Sequence, residues 1–249
     1  MRRDMPFLLL FGILAFILTA FLLSPLLTLF YGVGLEKFWE TLHDSEVQKS
    51  IWLTFRMSFY AVLAVMISGI PLAYLIARYE FRGKALLESL LDIPVMVPHT
   101  AAGIALLMIF NKGFFGLEFV DTTTGIMAAM MFLSAPFLIN GAKEGFRKVD
   151  VKYEHVARTL GASRLRLFFA VVLPHARHDI LNGTLMMWSR GIGEFGAVVI
   201  IAYHPMVAPV LIYDRFSAYG LNYSAPVAAV MIAVSLGVFF TVRLWNHKI

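Results

Sequence analysis

Arg190 and Glu194 stand four residues apart in the stretch 179–201, whose only other charge is Asp179. Four residues is about one helical turn, so the two side chains can meet on one face. Either they neutralise one another inside an apolar helix, or they sit beside a pathway or gate. In the second case Glu194 would not itself bind an anion, because it would repel it. His175, His178 and Asp179 form a second group, but no further ligand stands at a suitable spacing, so no metal centre is read there. The sequence has no cysteine, which removes thiol nucleophiles, disulfides and cysteine-ligated metals together. Gly83-Lys84-Ala85 has neither the spacing nor the hydroxyl of a Gly-x-x-x-x-Gly-Lys-Ser/Thr phosphate loop, and no His-Glu-x-x-His pattern occurs. These residues are equipped for charge pairing, and the chain is expected neither to be an enzyme nor to bind ATP.

The elements that must carry them are written in the composition. Of the 249 residues 59% are hydrophobic and 15% charged, and mean hydropathy is +0.76, which excludes an ordinary soluble domain. A hydrocarbon core about 30 Å thick needs roughly twenty helical residues to cross. Six stretches meet that length, at about 7–30, 51–77, 89–110, 122–142, 179–201 and 223–244. No charge falls between Asp121 and Lys143 or between Arg215 and Arg243. Arg2 and Arg3 precede the first apolar run, but the run continues uncharged to Glu36 without a clear small-x-small site, so it reads as a retained span.

Lys and Arg set the orientation, because they are retained on the cytoplasmic side. Fifteen of the 21 lie in the N-terminal tail, the second loop, the fourth loop and the C-terminal tail, from Arg2 and Arg3 to Arg243 and Lys248. The alternate loops hold Lys37, Lys49, Lys112 and Arg215, while Arg56 and Arg190 lie inside spans. Arg56, near an external end, reads as a snorkelling side chain. The expected fold is therefore an all-α membrane protein with six transmembrane helices and both termini cytoplasmic. The net charge of +5 then reflects topology and not a nucleic-acid partner.

Two segments depart from plain helices. Ile93-Pro94-Val95-Met96-Val97-Pro98-His99-Thr100 holds two prolines four apart, which remove two helical hydrogen bonds, so span three should bend or break there. The bland reading of the other in-span Pro and Gly residues is kinking and close packing. The loop 143–178 is far longer than a helix connection requires and must have structure of its own. Asp150 can cap a helix over Val151 to Leu160, Gly161 can end it in a left-handed conformation, and Ser163 can start another through Phe169. Lys152, Glu154, His155 and Arg158 would form its polar face, with Val156, Leu160 and Leu165 supplying apolar contacts. Glu154 and Arg158 could pair with each other or with a partner's cleft.

The run Glu154-His155-Val156-Ala157-Arg158-Thr159-Leu160-Gly161-Ala162-Ser163, followed by Val171-Val172-Leu173-Pro174, resembles the EAA loop of ABC importer permeases. Counted back from Gly161, His155, Val156 and Ala157 occupy the Glu-Ala-Ala positions, so only the last alanine matches. Downstream, Val171, Leu173 and Pro174 fall at the Ile-x-Leu-Pro spacing. Ser189-Arg190-Gly191-Ile192-Gly193-Glu194-Phe195-Gly196-Ala197 is similar to the Gly-Glu-Phe-Gly-Ala segment of the molybdate, tungstate and sulfate permease branch, and Leu91 to Pro98 has that branch's proline pattern.

The resemblance implies a type I permease with residues 1–45 as a first helix and external loop and 46–249 as the permease core. It implies a homodimer, two ATP-binding cassette subunits and an external oxyanion-binding protein, with lipid around the chain and ATP and Mg acting on the partner. Glu154, His155, Val156, Ala157, Arg158, Gly161, Ala162, Ser163, Leu173 and Pro174 would form the ATPase-coupling loop. Pro94, Pro98, His99, Thr100, Arg190, Glu194 and Phe195 are the pathway or gate candidates. The cargo would be molybdate or tungstate. The alternatives are a sulfate or thiosulfate permease, or a gradient-driven secondary anion transporter, for which inverted repeats and paired intramembrane carboxylates would be expected.

Overall fold

A computed structural model describes residues 5–113 and 116–246 of the chain. Arg2, Arg3 and Lys248 of the charge count lie outside the described residues. In chain order the helices are α1 (Met5–Val33), α2 (Leu35–His43), α3 (Ser45–Arg78), α4 (Lys84–Met96), α5 (His99–Phe110) and α6 (Thr123–Lys148). They continue as α7 (Val151–Thr159), α8 (Arg164–Leu167), a π-helical turn Phe168–Val172, α9 (Leu173–Ile192), α10 (Val198–Ile201), α11 (Ala208–Tyr219) and α12 (Leu221–Asn246). Among the described residues there is no β-strand.

By length and composition, four helices among the described residues can cross a membrane: Phe7–Val33, Ser45–Arg78, Thr123–Lys148 and Leu221–Val242. The expected third span is a broken pair, α4 and α5, bent by 111°. The break has a local cause. Val97, the residue before Pro98, is extended (φ −74°, ψ 135°), as the proline ring requires of its predecessor. The expected fifth span over 179–201 needs correction, because it is not one helix. It begins at Leu173, ends at Ile192, and resumes for a single turn at Val198. The gap holds Gly193, Glu194 and Gly196, and Glu194 Oε1 accepts the Ala197 N–H at 3.0 Å, capping the new turn from within.

The chain divides into two compact units. The first comprises residues 1–49 and 211–249. Its helix α1 is apolar on every face and exposed along nearly its whole length, the surface of a helix whose solvent is lipid. Within this unit Arg215 pairs with Asp44 at 2.7 Å and Glu46 at 2.8 Å. Burial alone would raise the Asp44 pKa, but the Arg215 hydrogen bond and charge outweigh it and hold that carboxyl below the ordinary carboxylate range.

The second unit, residues 50–210, contains every candidate site residue. Small residues set its central contact. A Cβ added at Gly141 would lie 2.7 Å from Gly183 Cα, and one at Gly145 would lie 2.8 Å from Asp179 Cβ, so α6 and α9 approach almost backbone to backbone. One buried cluster gathers Met57, Leu106, Met130, Leu133 and Ile201. Another gathers Ala73, Phe146, Leu167, Val172 and Ala176, and fastens the loop after α6 to the helices.

Candidate functional site

The segment 150–172 is built as its local sequence dictates. Asp150 Oδ1 accepts the Lys152 N–H at 2.9 Å, starting α7. Gly161 ends it with φ +82°. Its N–H donates to Arg158 O at 2.9 Å, and the Ala162 N–H donates to Ala157 O at 3.0 Å, a pair of bonds that satisfies the last carbonyls of the helix. Ser163 then caps α8, its hydroxyl oxygen accepting the Arg166 N–H at 3.3 Å. The expected second helix through Phe169 does not stop. It widens into the π turn and runs on as α9. Pro174 gives a physical reason: it lacks an N–H, and its ring crowds the carbonyl four residues earlier, which a wider turn relieves. Leu173 N–H donates to Phe168 O, five residues back.

Of the expected polar face of α7, Lys152, His155 and Arg158 are exposed but Glu154 is not, and this is a correction. Glu154 does not belong to an exposed polar face and does not pair with Arg158. It is 6% exposed, and its Oε1 lies 2.6 Å from Arg78 Nε at the end of α3. The Tyr74 hydroxyl donates to Glu154 Oε2 at 3.4 Å, and Arg78 Nη2 donates to Val149 O at 2.8 Å. Val156 and Leu165 point outward, and Leu160 is 83% exposed. The apolar residue that packs inward is Leu167. His155, Arg158 and Ser163 are exposed, Ala157 and Ala162 half-buried, Leu173 half-buried and Pro174 exposed. The outer surface of α7 and α8 is thus apolar and rimmed by cations, while its inner surface is locked by a buried ion pair.

The second group forms where the break before α5 meets the break after α9. Arg190 Nη1 lies 2.9 Å from Glu194 Oε2. Arg190 Nη2 reaches His99 Nε2 at 2.6 Å, and His99 Nδ1 lies 3.5 Å from Glu194 Oε2. His99 Nδ1 also lies 3.1 Å from Arg190 Nη2, and since guanidinium only donates, His99 must present a ring nitrogen lone pair to it. Glu194 is 1% exposed. The structure therefore brings together Pro98, His99, Arg190 and Glu194, with exposed Thr100 next to His99 and half-buried Phe195 next to Glu194. Pro94 lies in α4, on the other side of the bend.

Two glycines make this meeting possible, and nothing in their spacing singled them out. A Cβ at Gly196 would sit 2.6 Å from His99 Cβ, and one at Gly103 would sit 2.9 Å from the Ala197 backbone. Gly196→Ala is expected to lower stability by about 1–3 kcal/mol through overpacking, seen as a lower midpoint in thermal unfolding of the detergent-solubilised protein. Gly193→Ala, whose Cβ would meet nothing closer than 3.9 Å, is the matched control.

Between α4, α6 and α9 lies a groove of about 490 Å³ lined by Asp92, Asn140, Glu144, Asp179, Asn182 and Met186, among others. In it Asn140 donates to Asp92 at 2.7 Å, Lys148 pairs with Asp179 at 2.6 Å and Arg147 pairs with Glu144 at 2.9 Å. Among the described residues no group of three or more His, Asp or Glu is arranged to hold a metal ion.

Residues 69–247 match the family described as binding-protein-dependent transport system inner membrane component. The chain is 43% identical over 244 residues to the molybdate/tungstate transport system permease protein WtpB of Pyrococcus furiosus, covering 97% of this chain and 96% of that protein. It is 41% identical to the protein of the same description from Pyrococcus abyssi, covering 94% and 93%. The sulfate transport system permease protein CysT of Synechococcus elongatus is 31% identical, covering 93% and 90%. Among solved structures, a bacterial ABC transporter involved in import of the acidic polysaccharide alginate aligns with 100% of this chain and 98% of its own, with TM-score 0.68 and 21% identity. The MetNI methionine ABC transporter in an inward-facing conformation aligns with 81% and 93%, with TM-score 0.64 and 14% identity. The fold is thus that of ABC importer permeases.

Proposed function

The chain belongs to the family of binding-protein-dependent transport system inner membrane components, and from that premise we propose that it forms the translocation pathway of an ATP-driven importer of molybdate or tungstate. What carries the cargo assignment is identity of 41% and 43% over nearly the full length to permeases named for molybdate and tungstate, against 31% for one named for sulfate. In this reading the chain crosses the membrane six times with both termini cytoplasmic, the α9 to α10 segment supplying the fifth crossing. The Lys and Arg distribution supports that orientation. Residues 46–249 are the permease core, and the family match falls within them.

A dianion cannot shed its water into hydrocarbon, so it needs a wet path between helices. Two copies of this chain around a two-fold axis would enclose one. Energy comes from two ATP-binding subunits, and an external binding protein delivers the oxyanion. The coupling loop, Glu154 to Ser163 with Leu173 and Pro174, meets the ATPase. The exposed apolar surface of Val156, Leu160 and Leu165 supports this, since such a surface on a cytoplasmic projection calls for a protein partner.

The test is uptake by the permease reconstituted in proteoliposomes with its ATPase and binding protein. ATP-dependent uptake of tungstate and molybdate is expected, with sulfate at least about tenfold weaker, a discrimination of about 1.4 kcal/mol. Equal sulfate uptake would make the chain a sulfate permease, and uptake driven by an ion gradient without ATP would remove it from this class.

A further inference from the structure

We infer that Arg190 and His99 form an oxyanion contact in the wall of the translocation path. This rests on the transport reading above. The observation behind it is one of exposure. Glu194 is 1% exposed, but the side chain of its partner Arg190 is 26% exposed and that of His99 is 43% exposed. The cluster is framed by apolar elements, α5 on one side and α10, with Val198 and Ile201 buried, on the other. A guanidinium and an imidazole cannot turn an open face to lipid at such a place, so that face borders water or protein.

The arrangement selects the sign of what passes. Arg190 and Glu194 are neutral as a pair, but the acid is inside and the base is outside, so the outward end is positive. Glu194 is pinned by the Ala197 N–H and by Arg190 Nη1. The Arg190 Nη2 bond is made to a ring nitrogen of His99 at 2.6 Å. An arriving oxyanion oxygen is a stronger acceptor and can replace His99 at that N–H, while Glu194 keeps the guanidinium in place. When the anion leaves, His99 takes the bond back. A contact that is exchanged, with no net charge behind it, attracts without trapping, as conduction requires.

The cysteine-free sequence makes this directly testable, because an introduced thiol is the only one on the permease. Thr100→Cys in the complex with its ATPase and binding protein is treated in proteoliposomes with anionic and cationic methanethiosulfonates of similar size, from both sides. The expected result is modification by both, with an anionic-to-cationic rate ratio about tenfold above that of a free thiol, and slowing of the reaction by tungstate. The double substitution Arg190→Gln with Glu194→Gln removes both charges together and should erase the bias. Absence of modification, or a bias and protection untouched by the double substitution, would overturn the contact. If Thr100→Cys does not assemble, Gly193→Cys serves, since a Cβ there would meet nothing closer than Arg190 O at 3.9 Å. The charge bias is read without ATP, so it is separate from the transport reading: uptake without bias removes the contact alone, and bias without ATP-dependent uptake removes the importer alone.

Discussion

Glu154→Ala should abolish coupling, with tungstate uptake falling below about a tenth of wild type and the ATPase no longer responding to loaded binding protein. The substitution leaves Arg78 buried without its carboxylate, and breaking a buried pair from one side costs about 3–5 kcal/mol. It also removes the acceptor of the Tyr74 hydroxyl, so α7 loses both side-chain ties to α3. Push on α7 would then be absorbed locally instead of moving α3. Initial uptake rates and ATP hydrolysis in the same proteoliposomes measure this. Glu154→Leu combined with Arg78→Leu should recover much of the lost thermal stability, because paired apolar replacement removes both desolvation costs. Full uptake by Glu154→Ala would show that α7 transmits force without this tie.

Gly161→Val should lose most transport, while Gly161→Asn should retain most of it. No atom lies within 4 Å of a Cβ added at this position, so size is not the obstacle. The obstacle is φ at +82°, which costs an ordinary side chain about 1–2 kcal/mol, and which asparagine tolerates better than valine. A valine would relax the turn, release the bonds from Gly161 to Arg158 and from Ala162 to Ala157, and swing α8 away from its angle to α7. Uptake rates of both variants at equal membrane content check this, and equal rates would mean that the turn angle is irrelevant.

What the sequence disclosed, and what it hid, follows the range of the interactions. Asp150, Gly161 and Ser163 act on backbone within five residues, and each was readable as a cap or a stop. Pro94 and Pro98 likewise announced the bend before α5. Glu154 was misread because its partner, Arg78, is 76 residues away and counted only as a topology charge. Val156, Leu160 and Leu165 were readable as contact residues, but their outward direction was not, because composition does not tell an exposed apolar side chain from a buried one. The pair Arg190 and Glu194 was visible at helical spacing, but the His99 that completes it lies 91 residues upstream. Gly103 looked like any small residue in a bundle, and Gly196 stood in a motif that did not show its neighbour, since what they admit is the Ala197 backbone and His99 Cβ, far away in sequence.

The π turn at Phe168–Val172 carries one residue more than an α-helical turn would need. Everything from Arg164 to Ile192 is otherwise a single rod, about 43 Å long at 1.5 Å per residue. The surplus residue therefore sets the azimuth between its two ends, rotating exposed Leu165 relative to Arg190 by about 100°. A torque applied at the α8 end would therefore reach Arg190 turned by that offset.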